Sequence, residues 1–411
     1  MESFFTREVL SEQKNTHMTH IEDKVLYGGV NGTRQAINAL RELRDMLAGK
    51  HSGSVSVKWD GAPAIFAGID PRDGEFFVAK KGIFNKNPKV YKTKADIDAD
   101  TSGDLNTKLN AALEELPALG IKGVVQGDFL FGPGDVSNQK IDGESYVTFH
   151  PNTIVYALPA GSAGARDVKR AKIGIVWHTT YKGRSFETMK ASYGVNVSSF
   201  NKSSKVWSQD AMLRDLTNAT MSKKDTDEVT RLLSEAGKIF NKISGSTLRQ
   251  LEGNQALAQE IEQFNNTFVR KGVVIRDTKR HTAQLIRFIQ NKYKKIAATR
   301  KTEKGKRAQM DILNAKMQFF SPRNKASLEN MFELQKLIVL AKLKLINKLN
   351  QLKSIDTFVK TRKGFQVTGE EGYVAIDKLG GDAVKLVDRM EFSYNNFSPD
   401  ILKGWDKPSR N

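Results

Sequence analysis

Hydrophobic periodicity switches twice along this chain, and those switches limit what it can fold into. From Val55 to about Thr180, apolar residues come in short runs of strand length bounded by turn residues. Residues 64–68 and 75–79 flank Asp70-Pro71-Arg72-Asp73-Gly74, a hairpin-like link. Residues 123–131, 146–149, 154–158 and 173–177 continue the series, with one helix around 109–116. Many short strands with few helices predict an antiparallel, curled α+β domain rather than a doubly wound sheet.

The flanking segments read differently. Residues 1–50 read as mostly helical, with Asn31-Gly32-Thr33 as a turn and possible cap before Ile37, Leu40, Leu43 and Leu47. Between 185 and 364 the spacing predicts amphipathic helices at 210–217 and 228–243, and a strand-like interruption at 272–277. A basic helical stretch follows at 292–307. After Pro322 a second long helix is expected from Lys325 to about Val359, on a stripe of Leu334, Leu337, Leu340, Leu343, Ile346 and Leu349. Strand patterns return at 372–376 and 383–387 around a 377–381 turn, a hairpin signature. The segments are therefore 1–50 helical, 51–184 strand-rich, 185–364 mainly helical and basic, and 365–411 strand-rich again.

Composition narrows the class. With 411 residues and 39% apolar content the chain can bury a core. It shows no apolar run of about eighteen residues, so no membrane span is expected, and its start lacks a signal peptide's pattern. It contains no cysteine, which excludes disulfides, thiolate nucleophiles and thiolate zinc sites and fits a cytoplasmic protein. The net charge of +19 favours a polyanionic partner, nucleic acid first; the bland alternative is a protein that is simply basic. Lys342, Lys344, Lys348 and Lys353 on the second long helix read either as solvated charges or as a phosphate-binding arm. His17 and His20 would face one side of a helix, as metal ligands do, or be ordinary histidines.

The stretch with chemical content is Lys58-Trp59-Asp60-Gly61, at the end of the alternating run Val55-Ser56-Val57. A strand-end lysine, once its amine is neutral, can attack the α-phosphate of a nucleotide and carry the nucleotidyl group as a phosphoramidate. Asp60 would touch the nucleoside side and Gly61 would allow a tight turn. The plain reading is an exposed charged strand end. Other charges recur in apolar strands: Asp128 after Gly127, Glu371 before Gly372, and Lys385 between Val384 and Leu386. Charge in a buried strand is costly unless paired, and a nucleotide site would supply partners.

Together these residues resemble the covalent nucleotidyltransferase superfamily of ATP-dependent DNA ligases, RNA ligases and mRNA capping enzymes. Lys58-Trp59-Asp60-Gly61 resembles the first motif, whose lysine carries the nucleotide. Lys81-Gly82 resembles the basic residue and glycine on the next hairpin, and Gly127-Asp128 the following motif, where the family has glutamate. Phe149 or Tyr156 corresponds to the aromatic that stacks on the base. Glu371-Gly372-Tyr373-Val374 resembles the fourth motif and Val384-Lys385-Leu386-Val387 the fifth. Lys271-Gly272-Val273-Val274-Ile275-Arg276 competes for the fourth motif but carries lysine where the acid belongs; Glu371 is chosen, and its separation from Lys385, 385 − 371 = 14 residues, suits adjoining strands. Three departures stand out: Ala62-Pro63-Ala64 where the family has arginine, Val387 where it has a second lysine, and the shorter Asp128. The overall layout also resembles uncharacterised proteins of tailed bacteriophages, which would place the chain in a host cytoplasm.

The resemblance implies an α+β, antiparallel-sheet nucleotidyltransferase (ATP-grasp-like ligase) core formed by 51–184 and 365–411, a helical basic insertion, and no C-terminal OB domain. It implies catalytic roles for Lys58, Asp128, Glu371 and Lys385. Nucleotide contacts would come from Asp60, Gly61, Lys81, Phe149, Tyr156 and Lys385, and metal ligation from Asp128 and Glu371. The cofactors implied are ATP and Mg²⁺, with Mn²⁺ and GTP as alternatives. The activity implied is an ATP-dependent, RNA-ligase-like joining of 5′-phosphate and 3′-hydroxyl ends through lysyl-AMP, on RNA or on nicked or single-stranded DNA. The rival reading is a degenerate core that serves as a nucleic-acid-binding structural protein.

Overall fold

The computed structural model describes residues 19–50, 54–213, 216, 220–352, 355–376 and 383–405. His17, Lys353 and the 377–381 turn lie outside the described residues. The strands in chain order are β1 Ser54–Lys58, β2 Ala64–Ile69, β3 Phe76–Ala79, β4 Val124–Phe131, β5 Ser137–Ile141, β6 Glu144–Phe149, β7 Ile154–Pro159 and β8 Ile173–Lys182. They continue as β9 Lys190–Tyr193, β10 Val206–Asp210, β11 Met212–Leu213, β12 Asp356–Thr361, β13 Gly364–Val367, β14 Gly372–Ile376, β15 Ala383–Leu386 and β16 Ile401–Leu402. The helices used below are α1 Gly29–Leu47, α2 Gly103–Glu115, α3 Lys223–Phe240, α4 Gln255–Arg270, α5 Thr278–Ala298, α6 Glu303–Phe319, α7 Pro322–Leu349 and α8 Arg389–Phe397. The fold is mixed α+β, with a large helical region and partly curled antiparallel sheet.

Three sheets carry the strands. The first runs β11-β1-β14-β15; the second runs β10-β8-β4-β2-β3 with β9 on β8; the third runs β13-β12-β7-β6-β5 with β16 on β12. Only the β8–β10 pair is parallel among those described. Shifts in register between β4 and β8, at Gln126/Gly127 and Phe129/Phe131, bend the second sheet.

The first sheet is the floor of the helical region. Val55, Tyr373, Val384 and Leu386 share one apolar core with Leu40 and Leu43 of α1, Leu233 of α3, and Ile338 and Leu345 of α7. The N-terminal segment and the long helical region are thus one packed body. Strand alternation puts Lys58 and Lys385 on the face away from that core. A second core lies between the second sheet and α2, and a third holds Trp59, Phe131, Phe149, Tyr156 and Trp207.

Several elements differ from the sequence expectation, each for a local reason. Gly32 lies inside α1, not in a turn: a Cβ there would come 2.4 Å from the Lys24 carbonyl oxygen, so glycine permits close packing. Residues 210–213 close β10 and form β11 in place of a helix, because β8 and β1 offer partners distant in sequence. Residues 273–277 are an irregular link from α4 to α5 with Val273 and Val274 exposed; no strand among the described residues lies alongside to pair with them. The basic stretch divides at Thr302, whose hydroxyl caps α6 by accepting from Gly305 N at 3.1 Å. The last long helix stops at Leu349, and Val359 lies in β12. Of the expected stripe Leu334, Leu337, Ile346 and Leu349 are buried, joined by Ile338, Ala341 and Leu345; a strict three-residue repeat drifts off a helix face and leaves Leu340 exposed. Strands β9 to β11 and β12 to β13 all join the sheets, so the helical region is narrower than 185–364.

The lysines of α7 are structural. Lys342 is enclosed and donates to both Glu22 carboxylate oxygens at 2.9 Å. Lys344 pairs with Glu228 at 2.7 Å and Lys348 with Asp225 at 2.8 Å. Of the two readings, solvated charges or a phosphate-binding arm, neither describes Lys342, Lys344 and Lys348, which are paired with acids of the chain.

Candidate active site

β1 ends at Lys58, which stands opposite Gly372, the first residue of β14. That register brings Glu371 alongside, and Lys58 Nζ forms an ion pair with Glu371 Oε1. The Lys58 side chain stays 32% exposed while that of Glu371 is 10% exposed. β15 pairs antiparallel with β14 and sets Lys385 opposite Val374, on the same face. Residues 58, 371 and 385 thereby converge on three adjacent strands. Gly372 lets the strands close: a Cβ there would meet the Leu386 carbonyl oxygen at 2.6 Å.

The three charges perturb one another. Burial raises the pKa of Glu371 above the usual carboxylate value and Asp60 adds to the rise, against the pull of Lys58 and Lys385. Lys385 is pushed below the usual lysine value, first by burial and then by Lys58. Its ammonium also sits 5.6 Å from the centroid of the Phe392 ring. A glutamate held toward its neutral form beside a lysine can exchange a proton with it.

Asp60 turns out to be a staple. It is buried and accepts from Asn152 Nδ2 at 2.6 Å, Thr153 N at 2.6 Å and Ile154 N at 2.8 Å. Its own N–H donates to Tyr156 Oη at 2.7 Å. The carboxylate expected to touch the nucleoside instead ties the loop after β1 to the turn before β7. Trp59 reinforces the tie, with its ring 4.9 Å from that of Tyr156.

Phe149 and Tyr156 are likewise corrected as base-stacking candidates. Phe149 stacks on Tyr156 at 5.5 Å, and the two rings are 1% and 0% exposed, so no face is open to a base. Lys81 is exposed at the start of a short 3₁₀ turn, Lys81–Phe84, after β3.

Asp128 lies on β4 in the second sheet, opposite Ala64 and Val176. Gly61 is laid directly on it: a Cβ at Gly61 would come 2.7 Å from Asp128 Cβ and 2.8 Å from the Phe129 carbonyl oxygen. Ala62 N donates to that same carbonyl at 2.8 Å. The Asp128 carboxylate stands 3.5 Å from His178 Nε2. Glu371 and Asp128 therefore have different partners, Lys58 and His178. No group of three or more His, Asp or Glu among the described residues is arranged to hold a metal ion. An acidic recess beside Glu371, lined by Asp60, Asp388 and Glu391, does not supply one. Asp388 caps α8 by accepting from Met390 N at 3.0 Å, and Glu391 accepts from Thr368 Oγ1 and Gly369 N, each at 2.8 Å. Magnesium bound to nucleotide phosphates and water needs only one or two carboxylates. A single carboxylate, Glu371 or Asp128, would meet that lesser demand.

Sequence reasoning missed Trp59 as an anchor, Asn152 as the clasp of Asp60, and His178 as the partner of Asp128. It also missed Arg389 and Glu22, whose charges act on Lys385. His20 bridges to Lys385 along the edge of β15, and Arg389 Nη1 lies 2.8 Å from Asp23 Oδ2. Only Trp59, embedded between Lys58 and Asp60, carried a local signal.

The chain belongs to a family of unknown function (DUF6267), whose sequence model matches residues 15–400. No curated protein and no solved structure matches the chain.

Proposed function

We propose that this family member is a covalent nucleotidyltransferase that loads AMP from ATP onto Lys58 and passes it to the 5′-phosphate end of a polynucleotide. The observation that carries the reading is the convergence of Lys58, Glu371 and Lys385 on adjacent strands of one sheet, with the Lys58 loop laid on Asp128. Glu371 takes the ammonium proton of Lys58. The freed Nζ lone pair attacks the α-phosphorus; a P–N bond forms, the bond to the bridging oxygen breaks, and pyrophosphate leaves with that electron pair. Lys385, across β14, faces the charge that grows on the α-phosphate oxygens. Asp128, or Glu371 before it takes the proton, would hold a Mg²⁺ or Mn²⁺ ion, which would supply charge neutralisation. The 5′-phosphate then displaces Lys58 from the adenylyl phosphorus, and a 3′-hydroxyl attacks the activated end with release of AMP. ATP over GTP and an RNA-ligase-like reaction follow from the resemblance of the motifs.

A second reading is favoured by the enclosed Phe149 and Tyr156 rings and by Ala62-Pro63-Ala64 in place of arginine. In that reading the core is catalytically silent and the protein only binds nucleic acid. Intact-mass measurement after incubation with ATP and Mg²⁺ separates the two. One added AMP, lost in Lys58→Ala and Lys58→Arg, supports transfer. An unmodified wild-type protein, or an adduct that persists in K58A, sinks it.

A further inference from the structure

We infer that the outer face of α5 is the surface that holds the polynucleotide backbone; this rests on the reading of a polynucleotide as acceptor. α5 contains no Asp or Glu. Its inner face is apolar, with Leu285, Ile289 and Tyr293 buried in the helical core. Arg280, Arg287 and Lys294 recur every seven residues and are exposed, and exposed Lys295 flanks the row. Seven residues are nearly two helical turns, so the three stand on one face about 10 Å apart, over a span of about 20 Å.

The contrast with neighbouring cations makes the inference specific. The acid that α5 does meet is Glu260 on α4, and it is already occupied: Lys292 Nζ lies 2.9 Å away, Tyr293 Oη 2.7 Å and Lys316 Nζ 3.3 Å. On α7 the lysines answer Glu22, Glu228 and Asp225. The row from Arg280 to Lys295 is set out, exposed, on a helix with no acid of its own. Phosphates repeated along a polymer match such a row, and counterion release drives their binding. Two of the four are arginines, whose planar fork meets phosphate oxygens in pairs.

The test replaces Arg280, Arg287, Lys294 and Lys295 together with glutamine, sparing Lys292 because it serves Glu260. Binding of labelled RNA and DNA oligonucleotides of equal length is followed by anisotropy between about 50 and 200 mM salt, without ATP. Each lost phosphate contact removes about 0.7 from the log–log salt slope for a single strand and about 0.9 for a duplex. The variant should therefore lose about 3 in slope and bind at least about tenfold more weakly at low salt. A circular-dichroism melt checks that the variant folds, and Lys58 adduct formation, measured without polynucleotide, should be unchanged. Equal slopes in wild type and variant overturn the inference, as does wild-type binding to phosphatidylserine vesicles but to neither oligonucleotide. An absent Lys58 adduct with an intact slope difference would remove the proposed reaction and leave the surface standing.

Discussion

Two lysine–glutamate pairs in this molecule use the same side chains for opposite ends. Lys342 and Glu22 are sealed in the helical core, 1% and 4% exposed, and Arg389 stands 3.6 Å behind the glutamate. Burial alone would raise the Glu22 pKa, but Lys342 and Arg389 outweigh it and hold it below the usual carboxylate value. Its charge is locked. Lys58 and Glu371 pair at the open end of a sheet, and there burial wins over Lys58, so Glu371 is raised instead. An ion pair thus keeps its acid charged when cations surround it, and leaves the acid's pKa raised when desolvation stays partly uncompensated.

The sharpest way to break that contrast is at Glu371. Glu371→Gln keeps the shape and removes the proton acceptor, so the rate of Lys58 adduct formation should fall by about 10²–10⁴-fold, the usual worth of a general base. Lys271→Ala, at the competing motif, should leave the rate nearly intact. Equal losses in two folded variants would undo the assignment of Glu371. Next in size is Lys342→Ala, which strands Glu22 among buried groups and should cost about 3–5 kcal/mol in urea unfolding. The paired replacement Glu22→Leu with Lys342→Met should recover most of that loss. A full loss in the pair as well would mean that the two residues hold the fold by more than their mutual charge.

How much of this was legible in sequence depends on where each residue finds its partner. β4, β7 and β14 were readable because their apolar runs announce themselves. Gly372 and Lys385 also read correctly as belonging to adjoining strands, since strands so near in sequence need no distant information. Over 210–213 the expected helix gives way to strand because β10 is defined by β8, some thirty residues upstream, and not by its own periodicity. Val273-Val274-Ile275 looked like a strand and is a link, since apolar residues make a strand only beside a neighbour. At the site, the charged residues were visible as types, but their duties were not. Asp60 looked free in sequence; its clasp, 92–94 residues on, was invisible. Lys342 looked solvated because Glu22 is 320 residues away.

The smallest expected effect extends the idea of locked core groups to a neutral one. His281 is enclosed by Phe264, Phe268 and Phe332, each ring 4.6 Å away, and its Nε2 lies 2.9 Å from Asn265 Oδ1. Asn265 Nδ2 donates to Gln335 Oε1 at 3.4 Å, so Oδ1 is the acceptor and Nε2 carries the hydrogen in this assignment. Burial lowers the His281 pKa to about 4. An unfolded histidine binds its proton near pH 6.5, so between about 6.5 and 4 the unfolded state holds more protons than the folded one. Stability from this group is therefore complete above pH 6.5, is lost as pH falls, and is gone below about 4, a total of about 3 kcal/mol. His20 and His150, lowered by burial to about 3 and about 4, slope the same way. The informative quantity is thus the difference between wild type and His281→Gln, whose amide can still donate to Asn265. Urea midpoints taken from pH 7 to pH 4 should fall less steeply in the variant. Parallel curves would mean that His281 titrates as it does in water and that the aromatic enclosure opens in solution.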